Sequence, residues 1–340
     1  MSDGVWLPLL DEIGLHHMAT VISNPVDFNV EDLYVDLTPS LGRRLFLKCE
    51  GFNFSGSVKI KAATEMVRAK ERAGGIGPGD TLIESSSGNM GVALALVAAS
   101  RGYRFVCVTD ARCTGTARRL METFGTEVHV VTEPDPEGGF LGARLALVQR
   151  LLEKNPEYLW LNQYANPGNW TSHYRTTAPA IAEAFPGLDV LFIGAGTTGT
   201  LMGCATWFRE NAPSVRVVAV DTTGSVTFGG PAGRRLIPGL GTGVRPQILD
   251  PALVDDVVYV SEPDTVRMCH RLAGRGFLFG GSTGTVVSGA LDWLTTRDRD
   301  GLTAVAVAPD LGASYLETVY DQEWLARSYG PELLDVLLDA

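Results

Sequence analysis

Two distant segments of this chain carry residues that together could hold and use a phosphorylated carbonyl compound. Lys59 ends the run Asn53-Phe54-Ser55-Gly56-Ser57-Val58-Lys59 just before a helical stretch. Far downstream, Gly194-Ala195-Gly196-Thr197-Thr198-Gly199-Thr200 opens another helix. A lysine amine can condense with an aldehyde. A glycine-threonine loop at a helix N-terminus turns backbone N–H groups and hydroxyls toward a phosphate. Pyridoxal 5′-phosphate is the cofactor that needs both at once. A lone lysine at a helix start is ordinarily a solvated charge, so its promotion depends on the other segments.

Three more segments bear on the same chemistry. Glu84-Ser85-Ser86-Ser87-Gly88-Asn89-Met90-Gly91 lies between an apolar strand and an Ala-rich helix. Its serines and Asn89 either cap that helix or offer N–H groups and hydroxyls to a substrate carboxylate and a ring oxygen. Gly280-Gly281-Ser282-Thr283-Gly284-Thr285 reads as a tight turn before a helix, and Ile237-Pro238-Gly239-Leu240-Gly241-Thr242-Gly243 as a loop whose backbone can approach a flat ring closely. Gly194, Gly196 and Gly199 also fit the spacing of a dinucleotide fingerprint, but no acidic residue is convincingly placed about twenty positions later to hold a ribose. The paired threonines suit a terminal phosphate monoester better than a pyrophosphate. No Walker lysine follows, which excludes a nucleotide P-loop.

The elements that must position these residues alternate along the chain. Apolar runs of strand length are Leu45–Leu47, Thr81–Glu84, Phe105–Val108, Val128–Val131, Val190–Ile193, Val215–Val220 and Thr303–Val307. Several are apolar throughout, as parallel strands buried on both faces are. Helical stretches run from Lys59 to Arg72, Asn89 to Ser100, Ala117 to Phe124, Leu141 to Leu152, Thr200 to Glu210 and Asp264 to Arg275. The alternation predicts an α/β fold of mainly parallel sheets flanked by helices. Asn162 to Asn169 reads as a polar loop joining two lobes. Thr222 to Leu249, rich in Gly and Pro, reads as a long irregular segment of functional use.

The 340 residues are 45% hydrophobic, enough for one large or two medium domains with real cores. A net charge of −11 argues against nucleic acid or an anionic membrane as partner. Anionic substrates would therefore need local basic residues. The five cysteines are scattered, with no C-x-x-C pair, so structural zinc and a disulfide framework are not expected, and Cys107 reads as a buried strand residue. Met1 to Trp6 lacks a basic signal-peptide start, and no apolar run approaches the ~18–20 residues of a membrane span. The expectation is a soluble cytoplasmic protein.

Taken together and in this order, the five segments resemble the fold type II pyridoxal-phosphate enzymes, the cysteine synthase and tryptophan synthase β class. The likeness runs from about Leu9 to Trp324. It implies a two-lobed fold, with residues 1–52 plus 163–340 as a larger phosphate-binding domain and 53–162 as a smaller, mobile domain. It also implies small-molecule amino-acid substrates and a homodimer. Position by position, Lys59 resembles the Schiff-base lysine and proton carrier, and Asn89 the partner of the cofactor's 3′ oxygen. Gly196, Thr197, Thr198, Gly199 and Thr200 resemble the phosphate cup. Ser282 resembles the hydroxyl facing the pyridine nitrogen, and Ser86, Ser87 and Gly88 part of the loop that grips the substrate α-carboxylate. A neutral hydroxyl at the ring nitrogen implies a weaker electron sink than a carboxylate would give, which suits β-elimination and addition better than transamination.

Finer features resemble the branch that makes 2,3-diaminopropionate for siderophores and peptide antibiotics. They are Glu133-Pro134-Asp135 leading into Gly138 to Arg144, then Asn162-Gln163-Tyr164-Ala165-Asn166, Asn169 to Tyr174 and Val220 to Val226. That branch implies phosphate elimination from O-phospho-L-serine and addition of the amino group of L-glutamate. Lys59 would remove and return the α-proton. Arg144 is then a candidate fork for the leaving phosphate, against the alternative of a solvated helix residue. Tyr164 closes over substrate or simply packs. Arg112 and Arg118 are guesses for the glutamate carboxylates. Phe54 departs from the usual Pro, Ile60-Lys61 from Asp-Arg, and Gly196 from a Ser expected in this branch. The alternatives are a cysteine or cystathionine synthase, a pseudoenzyme that keeps the fold without turnover, and, more distantly, a nucleotide-binding oxidoreductase.

Overall fold

Strands that are apolar along their whole length must be covered on both faces, and this chain does so twice. The structure, a computed structural model, describes residues 22–28, 30–136, 138–297 and 301–338. Residues 1–21 of the expected larger domain, including the start of the family likeness and the Met1 to Trp6 segment, lie outside the described residues.

In chain order the strands are β1 (Tyr34–Asp36), β2 (Leu45–Cys49), β3 (Thr81–Ser85), β4 (Arg104–Asp110), β5 (Glu127–Val131), β6 (Leu159–Trp160), β7 (Val190–Gly194), β8 (Arg216–Thr222), β9 (Asp256–Val260) and β10 (Ala304–Ala308). Six of them form one sheet in the order β1-β2-β10-β7-β8-β9, and four form another in the order β5-β4-β3-β6. All pairings are parallel except β1 with β2, an antiparallel edge. The strands of the smaller sheet fall between residues 81 and 160.

Alternate side chains fill opposite faces of the larger sheet. Leu45, Leu47, Phe192 and Ala306 pack with Trp293 of the helix Gly281–Arg297. Leu191, Ile193, Val217 and Val305 pack with Leu201 and Phe208 of the helix Gly199–Asn211. In the smaller sheet, Leu82, Phe105 and Cys107 face Met66, Val97 and Met121, while Ile83, Val106 and Val108 face Val148.

Two sequence expectations change. The polar segment from Asn162 becomes helical at Pro167: Asn166 caps the helix Pro167–Arg175 by accepting from the Gly168 amide, and a second helix, Thr177–Ala184, follows. Gly280 to Thr285 is not a separate turn, because the helix begins at Gly281 and Ser282 stands in its first turn. The sequence also left out β1, β6 and β9. β6 has two residues and β1 three, too short for an apolar run, whereas β9 does carry one, Val257–Val260, behind Asp255-Asp256.

Candidate active site

Open parallel sheets place ligands at the carboxyl ends of their strands, and four such ends meet here. β3 leads into Ser86–Gly88, β4 ends at Asp110, β7 leads into the glycine-threonine loop, and β10 is followed by Pro309-Asp310. Between them opens a cavity of about 600 Å3 lined by Lys59, the Ser86–Asn89 loop, Tyr164, Arg144 and the 232–243 segment. A smaller recess continues behind it, lined by Lys59, Asn89, Gly196, Thr198–Thr200, Gly239 and Ser282. Lys59 and Asn89 border both spaces, so the lysine stands where a carbonyl held in the recess would meet a substrate in the cavity.

The glycine-threonine loop is shaped around its glycines. A Cβ on Gly196 would lie 2.7 Å from the Gly239 carbonyl oxygen, and one on Gly199 would lie 2.0 Å from Asn169 Oδ1. A serine at position 196 would therefore not fit without displacing backbone. Thr198 adopts φ 66°, in the left-handed region that β-branched residues avoid. It stands immediately before the helix Gly199–Asn211, and its buried Oγ1 has no hydrogen-bond partner. Thr197 Oγ1 accepts from Asn169 Nδ2 at 2.9 Å, while the Thr200 hydroxyl turns to His173 Nε2 at 3.2 Å. An unpartnered hydroxyl and a helix N-terminus in a strained loop suit a phosphate monoester. The residues present therefore fit pyridoxal phosphate, although the Thr200 hydroxyl is engaged by His173.

Lys59 begins the helix Lys59–Arg72, beside the buried, unpartnered Ser57 hydroxyl. Burial lowers its pKa to about 8, with the Asp310 charge opposing. The neutral amine, the form that attacks a carbonyl, is thus available near neutral pH. We expect the rate at which cofactor-free protein captures pyridoxal phosphate to rise through an inflection near pH 8. An ordinary lysine would place it at about 10.4. Stopped-flow absorbance across that range checks this, and an inflection at the ordinary value would remove the premise.

Ser282 and Asn89 converge on a residue the sequence reading missed. Asp310 is buried and accepts from Asn89 Nδ2 at 3.2 Å, the Tyr315 hydroxyl at 2.5 Å, the Thr283 amide at 3.1 Å and Thr283 Oγ1 at 3.1 Å. Burial raises its pKa, opposed by hydrogen bonds from Tyr315, Ser282 and Thr283. This carboxylate ties the helix Asn89–Arg101 of the smaller sheet to the helix Gly281–Arg297 of the larger. Gly239, at φ 115°, completes a slot: a Cβ there would lie 2.1 Å from Ser282 Oγ. The position of Asp310 just past a buried parallel strand was the one sequence signal that could have found it.

Among the serines, Ser86 spends its hydroxyl on the start of the helix, accepting from the Gly88 and Gly91 amides at 3.1 and 2.8 Å. The Ser86–Gly88 loop lines the cavity. Arg144 is not a solvated helix residue. It is buried, lines the cavity and pairs through Nε with Asp110 Oδ2 at 3.1 Å. Arg112 grips the same carboxylate at 3.0 Å through both Nε and Nη2. Burial alone would raise Asp110, but hydrogen bonds from Arg112 and the Arg144 charge outweigh it and hold the carboxyl below its usual range. Two guanidiniums on one carboxylate leave a net positive wall. Tyr164 lies beside Arg144 on this wall, and burial raises its pKa against the Arg144 charge. Arg118, by contrast, is exposed and pairs with Glu122 at 2.8 Å, outside the cavity lining. Of the departures from the family pattern, Ile60 is core, Lys61 pairs with buried Glu50 at 2.9 Å, and exposed Phe54 packs on Phe28.

Among the described residues, no helix is long and apolar enough to cross a membrane, and no group of three or more His, Cys, Asp or Glu side chains is placed to hold a metal ion.

A family model described as pyridoxal-phosphate dependent enzyme matches residues 34–310. A curated relative, the N-(2-amino-2-carboxyethyl)-L-glutamate synthase of Ralstonia nicotianae, is 41% identical over 285 residues, covering 83% of this chain and 84% of the relative. One of the same name from Cupriavidus metallidurans is 39% identical over 287 residues, again covering 83% and 84%. The solved structure of O-ureido-L-serine synthase superposes with a TM-score of 0.81 at 32% identity, covering 94% of this chain and all (100%) of that one. A hydrogen sulfide-producing enzyme of Fusobacterium nucleatum superposes with a TM-score of 0.79 at 29% identity, covering 87% of this chain.

Proposed function

This chain belongs to the family of pyridoxal-phosphate dependent enzymes, and from that premise we propose that it catalyses a β-replacement between two amino acids. O-Phospho-L-serine loses phosphate, and the amino group of L-glutamate takes its place, giving N-(2-amino-2-carboxyethyl)-L-glutamate. The observation that carries this reading is the positive wall of Arg112 and Arg144 around Asp110, lining the same cavity as Lys59 in a chain of net charge −11. A dianionic leaving group needs such a wall, whereas acetate from an O-acetylserine does not.

Pyridoxal phosphate, when bound, would supply an electron sink for the pair left on the substrate α-carbon. Around it, each residue has a task. The Thr198 hydroxyl and the amides opening the helix Gly199–Asn211 anchor the phosphate end. Gly196 and Gly239 leave room that a flat ring would occupy, and Asn89, fastened by Asp310, would hold it. Ser87, at the middle of the Ser86–Gly88 loop, faces the substrate α-carboxylate, since the Ser86 and Gly88 amides already donate to Val108 and to the Ser86 hydroxyl. Lys59 Nζ, whose pKa burial lowers to about 8, takes the Cα proton and later returns it; general base work of this kind is worth roughly 10²–10⁴-fold. As the Cβ–O bond breaks, its electron pair leaves with phosphate, stabilised by Arg144. The glutamate nitrogen then bonds to Cβ and gives up one proton. The smaller sheet and its helices, residues 53–162, would close over the cavity and exclude water.

The test is to incubate the holoenzyme with phosphoserine and a panel of amine and thiol nucleophiles. Phosphate release and product mass are read together. Glutamate-dependent phosphate release with the matching mass is expected. Faster turnover of O-acetylserine with sulfide would instead favour a cysteine synthase. A homodimer, a cytoplasmic setting and a role in 2,3-diaminopropionate supply for siderophores or peptide antibiotics belong to the same reading, and light scattering tests the first.

A further inference from the structure

A β-replacement needs two subsites in one cavity, and the charges that line it are divided between two walls. Among the described residues, five cations, Lys59, Arg112, Arg144, Arg234 and Arg235, border the cavity with one carboxylate, Asp135. Arg112 and Arg144 stand on the smaller-sheet side, both fastened to Asp110. Arg234 and Arg235 come from the irregular segment between β8 and β9 on the other side, where the sequence showed only Gly and Pro without periodicity.

Arg235 is built into its place without being neutralised. Its Nη1 makes one long hydrogen bond, 3.5 Å, to the Leu240 carbonyl oxygen, and its Nε is buried without a partner. The guanidinium lies against Gly241, where an added Cβ would come 2.6 Å from Nη1 at φ 70°. Gly241 thus lets the arginine lie flat along the loop. Asp221 and Glu262 act on it only as charges, and among the described residues no carboxylate forms an ion pair with it. Arg112 is a destabilising neighbour across the cavity, because burial and that like charge together disfavour the charged guanidinium. Two like charges held this way in a partly dry cleft are relieved by an anion between them.

We propose that Arg235, facing Arg112 across the cavity, is the clamp for the side-chain carboxylate of the acceptor amino acid, so that the second substrate is selected as a dicarboxylate. The proposal rests on the β-replacement reading above and deepens it. The donor already has its own anion holders: the Ser86–Gly88 loop for the α-carboxylate and the Asp110-braced Arg144 for the phosphate. Arg235 is left over, on the opposite wall. Its charge has a second use, since a nearby guanidinium disfavours the ammonium form of the incoming amine and so favours the nucleophilic neutral form.

The experiment measures phosphate release by the holoenzyme with glutamate or glutamine as acceptor, comparing wild type with Arg235→Gln, Arg235→Ala and Arg235→Lys. One charge-assisted contact removed should raise the KM for glutamate by ~10- to 100-fold. The KM for phosphoserine should not move, and the preference for glutamate over its neutral isostere glutamine should vanish. Calorimetric titration with glutarate, a dicarboxylate that has no amine, should lose the same factor in Arg235→Gln, and Arg235→Lys should restore part of it. An unchanged glutamate KM in both Arg235→Gln and Arg235→Ala overturns the clamp while leaving the reaction intact. So does an equal loss for both substrates. A wild type that never couples glutamate to phosphate release overturns the β-replacement reading itself, and the clamp falls with it.

Discussion

Replacing Lys59 with alanine is expected to abolish turnover, lowering phosphate release by at least ~10⁴-fold once covalent capture of the cofactor and general base catalysis are both lost. Among the described residues no other amine lines the cavity. Lys61, two residues further along the helix, is held by Glu50 at 2.9 Å and Thr177 at 3.2 Å, and Lys48 is buried against Glu50 at 3.4 Å. Both point into a charge network beneath the helix, and neither lines the cavity. Borohydride reduction of the wild-type holoenzyme, followed by peptide mapping, should leave a pyridoxyl group on Lys59 and none in the variant. A label on another lysine, or wild-type activity in Lys59→Ala, would remove the central assignment.

The second large effect is expected from Gly199→Ala. The added methyl would sit 2.0 Å from Asn169 Oδ1 and 2.5 Å from its Cγ. Asn169 cannot simply swing away. Its Nδ2 donates to the Gln163 carbonyl at 2.7 Å and to Thr197 Oγ1 at 2.9 Å, so moving it carries Thr197 out of the loop. The helices Pro167–Arg175 and Gly199–Asn211 also pack tightly here. A Cβ on Gly203 would lie 2.3 Å from the Trp170 carbonyl oxygen, so the two helices have no slack to share. We expect pyridoxal phosphate to bind ~100-fold more weakly, with a stability loss of about 1–3 kcal/mol, the usual range for overpacking. Absorbance titration of cofactor into stripped protein measures the first and thermal melting the second. Affinity equal to wild type would show that the Asn169–Thr197 contact does not shape the phosphate site. A fall in melting temperature without loss of affinity would separate packing from binding.

Much of the frame could be read in order along the chain because its causes are local. Val190–Ile193 and Phe105–Val108 are short, apolar throughout and bounded by polar turns, so they are strands buried on both faces wherever they pair. The segment from Lys59 to Arg72 carries helix formers and no breaker, and the structure makes all of it helix. The glycine-threonine run declares itself because glycine and threonine are what a phosphate loop needs. Even the ambiguous serine loop held both its meanings in view, and Ser86 resolves as the helix-capping one. By contrast, Gly280 to Thr285 looked like a turn because glycine weakens any helix signal. There it buys closeness instead: a Cβ on Gly284 would lie 2.3 Å from Cys269 Sγ.

The amino-acid sequence by itself determined the α/β layering, the amine and the loop, because each depends on residues that are neighbours in the chain. The tertiary structure alone decided how these parts are charged and fastened. Asn89 meets Asp310 across 221 residues, Arg144 loses its solvent to a carboxylate shared with Arg112, and Arg235 reaches the cavity from a segment without periodicity. Electrostatic energy depends on distance and burial in space, and neither is written in the spacing of residues along a chain.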